Sequence, residues 1–136
     1  MAHERFRVRN TRGRWAGQDI DYEISLMVRA TGRHLFIAGL TGLDLEGRLV
    51  GIGDPAAQAD QAMRNLKTLL EEAGGDLSCV CKVTTYILER SHREPIYNTV
   101  AKHLKGVMPC GTGLIISGLA IPEMLVEFDV DVVLPP

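Results

Sequence analysis

The chain has 136 residues, 46% in the AVILMFWYC group and 24% charged, with a formal net charge of −2. That is one ordinary globular domain, 1–136, able to bury a core without disulfides or metal. It leaves no basic footprint for nucleic acid. No apolar run approaches the roughly 20 residues that span a bilayer, and the opening MAHERFRVRN lacks a signal-peptide core, so the expectation is a cytoplasmic protein with neither a nucleic-acid nor a membrane partner.

In chain order, Glu4 to Val8 alternates as a short edge strand, and Asn10 to Gly17 reads as a loop around Trp15. The arginines at 5, 7, 9, 12 and 14 read as a solvated face, with attraction of an anionic ligand as the alternative. Ile24 to Ala30 reads as extended, with a hairpin turn at Thr31-Gly32-Arg33 leading into Leu35 to Gly39. A further turn covers Leu45 to Leu49. Asp54-Pro55 then starts a helix, because aspartate accepts from free amides and proline at the first position loses no hydrogen bond. Ala59, Met63, Leu66, Leu70 and Ala73 form its buried stripe, Gln58, Gln61, Arg64, Lys67 and Glu71 lie on other faces, and Gly74-Gly75 ends it.

Cys79 to Leu88 reads as a central strand with Cys81, Val83, Thr85 and Ile87 on one face. Ser91 and Glu94 have the spacing of a capping box for a second helix, which buries Ile96, Tyr97, Val100, Ala101 and Leu104 and closes at Gly106. In Pro109-Cys110-Gly111-Thr112-Gly113 the two glycines permit positive φ or close approach of a ligand to main-chain amides; a plain turn into a strand is the alternative. From Leu125 to Leu134, Val126, Phe128, Val130, Val132 and Leu134 make an apolar face, opposite Glu127, Asp129 and Asp131. Three cysteines cannot all pair, and Cys79, Cys81 and Cys110 are expected as thiols, with no histidine spaced to complete a metal site.

This element order describes an α+β sandwich, a mixed sheet with two helices on one face. The Ala38-Gly39 strand end, the helix carrying Gln58, Gln61 and Asn65 into Ala73-Gly74, the strand from Val80 to Tyr86, and then Tyr97, Pro109 and Glu127 together resemble the Rid family, also called YjgF, of enamine and imine deaminases. The resemblance implies a chorismate-mutase-like fold, of the bacterial trimeric type, in a homotrimer whose clefts between subunits bind a small-molecule ligand without cofactor or metal. It also implies substrate contacts from Cys110, Gly111, Thr112, Gly113, Ala38, Glu94 and Tyr97, with Glu127 positioning the attacking water. Several positions depart from the family pattern. Gly111 stands where the deaminases hold an arginine for the substrate carboxylate, Ala38 replaces a serine, Leu40 a glutamine, and Glu94 an asparagine.

The expected function is therefore a deaminase or hydrolase of an imine, enamine or amide-like metabolite, unlike a standard 2-iminopropanoate deaminase and closer to 2-aminomuconate deaminase. An anion would have to be met by Arg12, Arg14, Arg93 or Lys82. The alternative is a trimer that binds a small ligand for regulation and turns nothing over. For Glu94 the alternative is a helix cap.

Overall fold

The computed structural model describes residues 3–136. Five short strands open the chain: β1 (Glu4–Phe6), β2 (Arg9–Asn10), β3 (Glu23–Ile24), β4 (Met27–Arg29) and β5 (Arg33–Leu35). Helix α1 (Pro55–Glu72), strand β6 (Val80–Ile87), helix α2 (Arg93–His103), and strands β7 (Cys110–Ile115) and β8 (Val126–Leu134) follow. The main sheet has the order β5-β8-β6-β7, with β7 parallel to β6 and the other pairs antiparallel. This is the mixed sheet of an α+β, chorismate-mutase-like fold.

The alternation of β8 explains where the core sits. Val126, Phe128, Val130, Val132 and Leu134 are all buried, together with Val83 and Ile87 of β6, Met63, Leu66 and Leu70 of α1, and Ile96 and Val100 of α2. Their burial covers one sheet face with both helices. The opposite face carries Glu127, Asp129 and Asp131, across from Tyr86, Thr84 and Lys82 of β6.

The first strands differ from the simple edge-plus-hairpin reading. β1 pairs with β4 and β2 with β3, outside the main sheet, while β5 pairs with β8. Arg7 adopts φ 54, a left-handed conformation that breaks the extended run between β1 and β2. Thr31 to Arg33 therefore joins two strands that do not pair with each other. Gly32, at φ 150, is required there because a side chain would collide with the carbonyl oxygen of Leu134.

Helix α1 begins as its sequence dictates: the Asp54 carboxylate accepts from Ala57 N at 3.0 Å and Pro55 occupies the first turn. Its polar face is smaller than periodicity suggests. Gln58 is fully buried, its Nε2 donating to the carbonyls of Gly51 and Glu123 and its Oε1 accepting from Leu125 N. Asn65 is buried too and donates to Leu43 O, whereas Ala73 is exposed beyond the last turn. These amides stay inside because each satisfies main chain of the loops packed over the helix.

Two further expectations are corrected. Cys79 belongs to a 3₁₀ turn, Leu77–Cys79, and the register of β6 shifts between Val80 and Lys82, so Val80 joins Val83 in the core and Cys81 is the extra residue. The capping box is absent. A 3₁₀ turn, Arg90–His92, runs directly into α2, leaving His92 at the cap in a helical conformation without a side-chain hydrogen bond, so neither Ser91 nor Glu94 caps.

Two half-sites on opposite faces of the sheet

Glu127 stands on the open face of the sheet in register with Tyr86, which is itself in register with Leu114. The carboxylate is half-buried because it packs on main chain: a side chain at Gly39 would collide with Glu127 Oε2. Gly39 is held there by its neighbour Leu40, whose N–H donates to Phe128 O at 2.8 Å and whose carbonyl accepts from Phe128 N at 2.8 Å. Ala38 is exposed beside this pair and Phe36 is 97% exposed. The first half-site thus comprises Glu127 and the Ala38-Gly39 backbone.

The glycine stretch is built differently. Gly111 and Gly113 have ordinary extended φ and lie within β7 rather than in a turn, paired through the strand with Val83 and Thr85. β7 is an edge, so half of its backbone polar groups point away from the sheet. Cys110 and Thr112 lie across from Lys82 and Thr84, on the same face as Glu127, but Gly111 and Gly113 face α2. A side chain at Gly113 would collide with Tyr97 Oη and come within 3.2 Å of Arg93 Nη1. Here glycine serves close approach of a helix to a strand.

On that side lies an open cavity of about 440 Å³, bounded by Gly111 and Gly113, by Arg90, Arg93 and Tyr97, and by Trp15, Gln18 and Tyr22 from the segment after β2. Arg93 organises it. Its guanidinium carbon is 4.9 Å from the Trp15 ring centroid and 5.0 Å from that of Tyr97, and its Nε donates to Gln18 Oε1 at 2.9 Å. Tyr22 is buried with its ring centroid 6.2 Å from that of Tyr97, and burial, with Tyr97 adding to it, pushes its phenol well above the ordinary range. Tyr22 is therefore a neutral hydroxyl at any ordinary pH.

Within one chain the two half-sites do not meet. Neighbouring strands lie about 4.8 Å apart, so Glu127 on β8 is two strands from β7, and the cavity opens on the other face of that edge. Tyr97, Gly111 and Gly113 are brought together; Glu127 and Gly39 are brought together; Cys110 and Thr112 lie on the face of Glu127; and Glu94, half-buried on the first turn of α2, is not among the cavity's lining residues.

The family model described as Endoribonuclease L-PSP matches residues 22–134. The chain belongs to the Rid (YjgF) family. A RutC family protein of Pyrococcus horikoshii is 30% identical over 98 residues, covering 72% of this chain and 77% of that protein. Among solved structures, YyfB of Yersinia pestis, a Rid-family protein of unknown function, is 30% identical with a TM-score of 0.76, over 82% of this chain and 86% of that one. RidA of the Antarctic bacterium Psychrobacter sp. is 25% identical with a TM-score of 0.69, over 81% and 87%.

As a Rid protein the chain shows two further traits. All three cysteines are free, and burial raises the Cys110 thiol above its ordinary value, with Lys82 and Arg5 only partly opposing it, which is unfavourable for a thiolate nucleophile. Among the described residues no three His, Cys, Asp or Glu side chains converge as a metal ion requires, and no helix is long and apolar enough to cross a membrane. Trp15 and Gln18 precede the matched region, and reading single segments missed them: only the contact across to α2 makes them part of a cavity. The cluster of arginines is also not uniformly solvated. Arg5 donates to Val80 O and Ser78 O, while Arg12 pairs with Asp19 and Asp21.

Proposed function

We propose that this Rid protein is a deaminase or hydrolase of a small imine, enamine or amide-like metabolite, working in clefts between the subunits of a homotrimer. The observation that carries this reading is Glu127, a half-buried carboxylate seated on glycine backbone. Its Oε2 packs beside Gly39, and no hydrogen bond among the described residues occupies the carboxylate, which leaves it able to accept from a water. A carboxylate held in that way orients the water and takes its proton as it attacks an sp² carbon; ammonia or an amine then leaves. The hydroxyl of Thr112, on the same face, is available to hold the polarised group, as are the outward amides of the β7 edge.

Assembly from several copies is supported by what one chain leaves uncovered. Phe36 at 97%, Leu114 at 41% and Ile115 at 43% exposure flank the two half-sites, a pattern that a second copy would bury. A neighbour's β7 edge placed against Glu127 would also unite the half-sites that one sheet keeps apart.

The test is ammonia release from freshly generated 2-iminopropanoate and from 2-aminomuconate by the unaltered protein and by Glu127→Gln. Release is expected from the second substrate and little from the first, falling about a hundredfold or more in the variant, while light scattering shows both proteins as trimers. Equal rates in the two proteins would remove Glu127 from the mechanism.

A further inference from the structure

We infer that Cys81 and Cys110 form a redox pair, two neighbouring thiols that close to a disulfide between β6 and β7 on exchange with a low-molecular-weight disulfide. The register shift in β6 places them side by side. Val80 and Val83 both turn into the core, so Cys81 and Lys82 between them both lie toward the open face of the sheet. Cys110 is in register with Lys82 and shares that face. With strands about 4.8 Å apart and a one-residue offset of about 3.3 Å along them, the Cα atoms of Cys81 and Cys110 lie about 6 Å apart, inside the range of about 4.4–6.8 Å that disulfides span.

The third thiol is set apart. Cys79 is buried on the helix side, its sulfur 3.6 Å from where a side chain at Gly75 would begin. Cys81 and Cys110 are both partly exposed, and a charge on Cys110 is felt at Cys81, as nearness of the two sulfurs requires. Arg5 frames the pair from β1. Its Nη1 donates to Val80 O at 3.0 Å and its Nη2 to Ser78 O at 2.8 Å, which fixes main chain on both sides of Cys79 and leaves Nε buried without a partner. The thiols lie within the field of that guanidinium. Lys82 adds a second cation beside Cys110, and Asp131, in register with Lys82, opposes both.

Neither thiol is unusually acidic: burial raises both, with Arg5 opposing it at each and Lys82 at Cys110. Proximity therefore carries the chemistry. The thiolate of one cysteine attacks a sulfur of the incoming disulfide and expels a first small thiolate. The second cysteine then loses its proton, attacks the protein sulfur of that mixed disulfide and expels the other. Two protein thiols and one small disulfide become one protein disulfide and two small thiols. The closing step is intramolecular and so outruns capture of another small disulfide. The bond fastens β7 to β6 at the start of the edge strand, directly before Gly111 and Thr112, so the redox state sets how firmly that edge is held. This reading is independent of any deaminase activity.

The full chain, reduced and then freed of reductant, is incubated with oxidised glutathione under native conditions, alkylated, and mapped by mass spectrometry without further reduction. Free thiols are expected to fall from three to one, with Cys81 joined to Cys110 at least about tenfold more often than Cys79 to either. The oxidised chain is expected to unfold at a urea concentration about 1 M higher than the reduced one. Cys79→Ser should still close, whereas Cys81→Ser and Cys110→Ser should stop at the glutathione adduct. Three thiols left intact, an adduct that persists on the unaltered chain, a dominant bond to Cys79, a bond between chains, or an unchanged urea midpoint would each overturn the assignment. The peptide map uses the unaltered protein, so a misfolded variant cannot rescue the idea.

Discussion

Replacing Gln58 with leucine tests how the turn ahead of β8 is held, and with it the placement of Glu127. The side chain is fully buried and makes three hydrogen bonds to main chain, with Gly51 O at 3.1 Å, Glu123 O at 2.9 Å and Leu125 N at 2.9 Å. Leucine keeps most of the volume and none of the bonds. Glu123 is exposed and its carbonyl can turn to water, but Gly51 and Leu125 are half-buried. Two stranded backbone groups at ~1–3 kcal/mol each, less a modest gain from burying an apolar side chain, give a loss of about 2–4 kcal/mol. In urea unfolding followed by circular dichroism, that is a midpoint lower by ~1–2 M at unchanged slope. Both proteins are compared at one concentration, because any subunit association would add to apparent stability. A loss below about 1 kcal/mol would mean that water replaces all three bonds, and that the buried amide does not hold the loops.

Asp60 joins α1 to α2 through His103 Nε2 at 2.7 Å and accepts from Arg64 Nε, one turn on in α1, at 2.7 Å. Burial alone would raise its carboxyl, but these hydrogen bonds outweigh it and hold the group below its ordinary value. A depressed folded value stabilises above the unfolded one and is lost as pH falls through the folded one, so Asp60→Asn should cost about 0.5–1 kcal/mol at pH 7 in this partly exposed, solvent-screened pair, with the difference shrinking as pH falls below about 4. Thermal unfolding of both proteins across pH 3–7 checks this, and a constant difference at all pH values would refute it. Phe36→Asp should convert trimer to monomer in light scattering at micromolar concentration with an unchanged circular dichroism spectrum; a persisting trimer would place the interface elsewhere.

Much of the fold was legible because its signals are local. Asp54-Pro55 sets the start of α1 by itself, and the strict alternation from Val126 to Leu134 fixes which face of β8 meets the helices. Gln58 was assigned outward because periodicity knows only residue type, while its partners are backbone groups 7 and 65 residues away. The register shift at Cys81 has no signature of its own, since Val80, Cys81 and Val83 suit either face. Ser91 and Glu94 have the spacing of a cap, yet Ser91 lies inside the 3₁₀ turn Arg90–His92, which already occupies the position where a cap must be extended. Gly111 and Gly113 read as a turn because glycine carries no side-chain pattern; the nearness of Tyr97 and Arg93, which explains Gly113, is tertiary. Glu127 was visible as a lone acid in an alternating run, but its seat on Gly39 and its separation from the cavity required the sheet.

That separation gives the most direct test of a site completed between copies. Glu127→Gln and Arg93→Gln chains, each impaired alone, are co-expressed in equal amounts, purified as mixed trimers and assayed on an imine that the unaltered protein turns over. If Glu127 of one copy faces the Arg93 cavity of the next, each mixed trimer holds one intact cleft of three, so about a third of the unaltered rate should return. Mixed trimers no more active than the variants assayed separately would contradict a site shared between subunits.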